Sequence, residues 1–128
     1  MTREVVRARN LEEQVVAAYR RVRGDDHSDT LGAMSNLATM LSAQGEVERA
    51  RTLLEQVLTV SRRVLGVEHP NTLTVMNNLA QSLATLGQLA SARSLQKQVV
   101  TVSRRVLGEK HLNTLSAISN LARMLPDS

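Results

Sequence analysis

The chain has 128 residues, sixteen Lys and Arg against twelve Asp and Glu, a net charge of +4 and 42% apolar residues, which suits one domain with a core of its own. It has no Cys, Phe or Trp and a single Tyr; this excludes a disulfide framework, a thiol nucleophile and a cysteine metal site, and it points away from the aromatic and β-branched cores of sandwiches and barrels. No apolar run approaches the roughly 20 residues of a membrane helix, and the opening MTREVVRARN has no continuous apolar segment to serve as a signal peptide, so the cytoplasm is the expected location.

Six helices are expected. The first, over residues 4–22, sets Val5, Ala8, Leu11, Val15, Ala18 and Val22 at three- and four-residue steps, the spacing of one apolar helix face. The second, over 29–43, does the same with Leu31, Met34, Leu37, Ala38 and Leu41, and stops before Gly45, which suits a turn. The third, over 46–65, carries Val47, Ala50, Leu53, Val57, Val60 and Val64, with Gly66 at its C-terminal end. The fourth, over 70–85, has Pro70 in its first turn and His69 as its N-cap. It carries Leu73, Met76, Leu79, Ala80 and Leu83. The fifth, over 88–107, repeats the pattern of the third and ends at Gly108; the sixth, over 112–125, carries Leu115, Ile118, Leu121, Ala122 and Leu125.

These elements recur at a step of 42: Gly24, Gly66 and Gly108; His27, His69 and His111; Asn36, Asn78 and Asn120; and the pairs Arg20-Arg21, Arg62-Arg63 and Arg104-Arg105. About half of the positions in 24–65 and 66–107 are identical. Such a period signals a repeat architecture, in which one helix pair cannot bury both its faces but a stack of pairs can. The expectation is an all-α chain, a right-handed α-solenoid of antiparallel helix pairs, forming one domain over 1–128. It reads as a half repeat (1–23), repeats 24–65 and 66–107, and a half repeat (108–128). Arg3 matches Gly45 and Ser128 matches Gln44, so three full units are present with the cut inside a unit.

The run of His69-Pro70, Asn77-Asn78-Leu79-Ala80, Gly87, Ala92, Leu95 and Leu107-Gly108 resembles the 42-residue tetratricopeptide repeat (TPR) of kinesin light chains. It is equally similar to the repeat arrays behind NTPase modules in fungal and bacterial signalling proteins. The chain departs from that pattern at Leu41, Leu83 and Leu125, where Tyr is usual, and at Leu112, where Pro is. The resemblance implies a concave groove lined by the first helix of each unit. Asn36, Asn78 and Asn120 are then its candidate ligands, with Thr39, Asn77, Gln81 and Arg123 beside them. A carboxamide offers two donors and an acceptor and pairs with an extended peptide backbone without choosing a side chain. The competing role for these Asn residues is to bond the neighbouring repeat's backbone and hold the stack.

Other constellations read as structural. The Arg pairs lie in the last turns of helices, where cations favour the dipole; they form a basic stripe with no aromatic residue to stack on bases, so nucleic acid is disfavoured. The three His sit in equivalent loops and read as helix caps, and Glu12-Glu13 as solvated surface. No phosphate-binding glycine pattern and no nucleophile–base set is present, so no catalytic residue, metal or cofactor is assigned. The expected function is non-catalytic binding of a peptide or protein segment in the groove. The alternatives are head-to-tail self-association of the two end helices, a contact that gives a ring or filament unless it closes, and a sensor fragment of a larger signalling NTPase.

Overall fold

Local side-chain chemistry sets where each helix begins and ends. The computed structural model describes residues 2–126; Met1, Asp127 and Ser128, the last with its match to Gln44, lie outside the described residues. Six helices follow in order: α1 Arg3–Arg23, α2 Ser28–Ala43, α3 Val47–Val64, α4 Pro70–Thr85, α5 Leu89–Leu107 and α6 Leu112–Met124. Their ends differ from the expected spans by no more than one residue, and no strand occurs among the described residues.

The histidines start α2, α4 and α6. Nδ1 of His27 accepts the Asp29 N–H at 3.0 Å, His69 that of Asn71 at 3.1 Å, and His111 that of Asn113 at 3.0 Å. Each bond satisfies one of the orphan donors of a helix N-terminus and requires Nδ1 to be the unprotonated nitrogen. At the other end, Gly108 closes α5 with φ 92°, its N–H donating to the Arg104 carbonyl, a left-handed conformation that side chains resist.

The chain divides into two compact units, residues 1–64 and 65–128. In the first, α2 packs against both α1 and α3; in the second, α5 packs against both α4 and α6, and α4 also meets α6. Short links at 44–46 and 86–88 make the paired helices antiparallel. In unit 1, α2 buries Leu31, Met34, Leu37, Ala38 and Leu41, while α3 buries Ala50, Leu54 and Val57. In unit 2, Leu73, Met76 and Leu79 of α4 are buried, as are Ala92 and Val99 of α5. Each buried Leu, Met or Val contributes about 1.5–3 kcal/mol. Threonines at one repeat position tie the starts of α2 and α6 to the end of the preceding helix: Thr30 Oγ1 donates to the Gly24 carbonyl at 2.7 Å and Thr114 Oγ1 to that of Ser103 at 3.2 Å.

The outer helices differ from expectation. On α6 the buried residues are Thr114, Ala117, Asn120 and Met124, whereas Leu115 and Leu125 stand exposed. On α1 only Val16 is buried, while Leu11, Val15 and Val22 are exposed. The expected stripe is the one that α2 and α4 turn toward their own second helix. Within its unit α6 packs on helices that precede it, so it turns the adjacent stripe inward instead.

Ion pairs fasten the loops. Arg63 binds Asp26 through two bonds of 3.1 and 2.9 Å, and Arg105 pairs with Glu68 one repeat later. Arg20 meets Asp25 at 3.5 Å and Arg104 meets Glu109 at 3.6 Å. Near the start of α3, Glu46 accepts from Arg9 and Arg49, and Arg49 also reaches Glu13 at 3.3 Å. The hydrogen bond from Arg63 holds the Asp26 carboxyl below the ordinary value, and that from Arg9, followed by Arg49, does so for Glu46. Such exposed pairs contribute little to stability.

Two expectations follow. Replacing His111 by Ala should cost about 1 kcal/mol in a urea melt and Asp should restore it, since Asp is a strong N-cap. The Asp26 contribution is present above the unfolded carboxylate pKa of about 3.9 and fades as pH falls through the lowered folded value. An Arg63→Gln variant should therefore lose less stability than the wild type on acidification from pH 6 to pH 3, as read by thermal melts.

Candidate functional site

Unit 2 contains a groove built on α5. Helices α4 and α6 both pack on α5 and meet each other, and two hollows lie where they do. The first, about 200 Å³, is lined by Pro70, Thr74 and Asn77 of α4 and by Asn113, Ser116 and Ala117 of α6, with Val99 and Ser103 of α5 contributing. The second, about 410 Å³, is lined by Gln81, Ala84 and Thr85 of α4 and by Asn120, Arg123 and Met124 of α6, with Leu89. Apart from Arg123, no side chain lining either hollow is charged.

A chain of hydrogen bonds joins the two hollows. Asn120 Nδ2 donates to Asn77 Oδ1 at 3.1 Å, and Gln96 Nε2 donates to the same oxygen at 2.9 Å. Gln96 Nε2 also donates to the Ala117 carbonyl at 3.0 Å. Arg123 donates to Asn120 Oδ1 and, at 3.3 Å, to Ser119 Oγ. Gln96 is 0% exposed and Asn120 only 6%.

The residues singled out from the sequence divide between the units. Asn36 and Thr39 are exposed on α2 in unit 1, and Thr39 Oγ1 donates back to the Ser35 carbonyl at 3.1 Å. The hollow of that unit, about 500 Å³ and lined by Leu37, Leu41, Leu53 and the charged Glu13, Glu48, Arg49 and Arg51 among others, includes neither residue. Asn77, Gln81, Asn120 and Arg123 come together in unit 2, whereas Asn78 is half-buried and lines neither of that unit's hollows. Asn120 does bond the preceding repeat, but through the Asn77 side chain and not through backbone. Gln96 escapes a reading of the apolar periodicity. Its signal is a break in the repeat: Leu54 occupies the equivalent place. The Arg stripe ends largely in carboxylates, as described above.

The tetratricopeptide repeat profile matches residues 6–60 and residues 29–105. Two crystal structures of a Podosopora anserina kinesin light chain with nearly identical TPR-like repeats, one of them a variant, align with TM-scores of 0.89 and 0.88 at 34% identity. Each alignment covers 94% of this chain and 57% of the other, so the chain spans little more than half the length of those relatives. BtubC (BKLC) from P. vanneervenii shares the fold, with a TM-score of 0.83 at 15% identity over 94% of this chain and 48% of that one. No curated protein sequence matches the chain. No helix among the described residues is long and apolar enough to cross a membrane. The chain belongs to the tetratricopeptide repeat family in its kinesin-light-chain-like form, an all-α fold whose repeats are typically non-catalytic and mediate protein–protein interaction.

Proposed function

We propose that the protein is a cytoplasmic binding module whose unit 2 holds an extended peptide segment between α4 and α6. The observation that carries this reading is the pair of hollows, with amide, hydroxyl and apolar groups in their linings and Arg123 as the one charge, linked by the Asn77–Asn120 bond. Amide and hydroxyl groups at intervals match the donors and acceptors of a peptide backbone. The test is panning of a library of random nonapeptides. Ser116 is exposed and lines the first hollow, so Ser116→Trp should fill it, leave the thermal melt unchanged and weaken a selected nonapeptide at least about tenfold, the effect of some 1.4 kcal/mol. Wild-type affinity in that variant sinks the reading. Asn78→Leu is its companion: lost binding with helicity intact keeps Asn78 in the site, and unchanged binding confines the site to residues lining the hollows. Affinity should change little with salt; phosphate binding through several Arg would weaken steeply.

A second reading, self-association, is favoured by one observation. Leu115 and Leu125 of α6 are 49% and 47% exposed where α4 buries Leu73 and Leu83 to 5% and 8%. On this reading that face receives α1 of a second copy. It ranks second because Glu12 stands on α1 where α3 and α5 bury Leu54 and Gln96, and a carboxylate taken into such a seam is costly unless paired. Light scattering on a sizing column at ~100 μM, a loading that catches micromolar association, should show assembly that Leu121→Glu reverses; a monomer at that loading rules it out.

A further inference from the structure

The buried amide of Gln96 is expensive in one respect and unnecessary in another. Its side chain is wholly enclosed, and its Oε1 has no hydrogen-bond partner, a condition that destabilises a fold. At the same repeat position Leu54 fills the space at 2% exposure, so packing alone does not call for an amide. A second departure occurs in the same repeat: Asn77 stands where the other units have Ser35 and Ser119. The two departures meet, since Gln96 Nε2 donates to Asn77 Oδ1 at 2.9 Å.

The direction of every bond in this chain is fixed from both ends. A backbone carbonyl only accepts, so the atom that Gln96 turns to Ala117 O must be its nitrogen. The same nitrogen faces Asn77, which must therefore present its oxygen. Asn120 must then offer Asn77 its nitrogen and turn its own oxygen to Arg123, a residue that only donates. Both ends demand the same arrangement. Asn77 Oδ1 is thus held by two donors, and the group left for the first hollow, which Asn77 lines, is its Nδ2 with two N–H donors.

We infer that Gln96 is a positioning residue that fixes Asn77 as a hydrogen-bond donor in the first hollow, where it takes a backbone carbonyl oxygen of a bound peptide. This rests on the peptide-groove reading. Gln96 never touches the ligand; without it, the Asn77 oxygen keeps only one of its two donors, Asn120, and the amide is held by one bond instead of two. Asn120, although one of the recurrent Asn, is spent inside the protein and serves Asn77 in the same way.

The experiment uses three variants of the whole chain: Gln96→Leu, Asn77→Ser and the double change, the first two taking the residue found at the same place in another repeat. Gln96→Leu should melt at or above the wild-type temperature, yet bind a library-selected nonapeptide about tenfold more weakly, the scale of one hydrogen bond. Asn77→Ser should weaken binding similarly. In the double variant the Gln96 change should add nothing, because a residue acting through another has no effect once that other is gone. Wild-type affinity in Gln96→Leu, or a further loss in the double variant, overturns the proposal. Should Leu unfold the chain, Gln96→Met supplies the same comparison with an unbranched side chain. A ligand-free readout separates this proposal from the groove reading: side-chain amide exchange by NMR. Gln96 Nε2 protons should exchange slowly and Asn77 Nδ2 protons fast, and equal protection of the two overturns the proposal even where panning returns no peptide. If panning returns no binder while this contrast in exchange is seen, the groove reading fails and the orientation of Asn77 stands.

Discussion

A helix with apolar residues on more than one side needs more than one neighbour, and this constraint shapes both units. Helix α2 buries Leu31, Ala33, Met34, Leu37, Ala38 and Leu41, too broad a set for one partner, and it packs against α1 on one side and α3 on the other. Burial follows the neighbours each helix has rather than its composition. The stripe of α6 that matches the core of α4 in sequence stays exposed, and a more polar stripe of Thr114, Ala117 and Asn120 turns inward. That rotation carries Asn120 into contact with Asn77, and the proposed groove follows from it.

The ends of the helices were legible in the sequence because they depend on chemistry within a few residues. A histidine two positions before the N–H it accepts and a glycine at positive φ act the same way wherever the helix later packs. The period of 42 was legible for the same reason, since it needs only the chain compared with itself. The candidate site was legible in part. Asn77, Gln81, Asn120 and Arg123 could be chosen from spacing and family resemblance, but Asn77 and Asn120 are distant in sequence and only packing brings them together. What remained hidden was the use of each amide. Which atom Asn77 turns outward depends on Gln96 and Asn120, and the orientation of Gln96 depends in turn on the carbonyl of Ala117; no side-chain pattern records a backbone oxygen.

Repetition itself sorts the positions. Where a side chain meets the same surroundings in successive units, the residue recurs: Leu37-Ala38 and Leu79-Ala80, or Thr30, Thr72 and Thr114. All three of these Thr are 0% exposed, and the Leu-Ala pairs of α2 and α4 are buried with them. Close packing makes such positions sensitive to single methylenes, so one solution is reused. Three of the registers that line the unit 2 hollows behave differently. Thr39, Gln81 and Arg123 occupy one register, Gly32, Thr74 and Ser116 another, and Ser35, Asn77 and Ser119 a third.

The contrast has a physical origin. A side chain bordering a hollow has open space on one side, so volume does not dictate its identity, and the three units can differ at no packing cost. Gln96 belongs to neither class, and this sets it apart. It lies in the core, where the repeat otherwise reuses Leu, yet it changes together with Asn77 on the groove. An apolar side chain there would satisfy packing and leave the Asn77 oxygen held by Asn120 alone. An amide gives up some packing energy and, by its bond to a carbonyl that cannot donate, adds a second donor that enforces the same orientation of Asn77. Directionality is the one property that hydrogen bonds supply and dispersion does not, and it is the property a surface needs in order to offer donors, rather than merely polarity, to whatever occupies the groove.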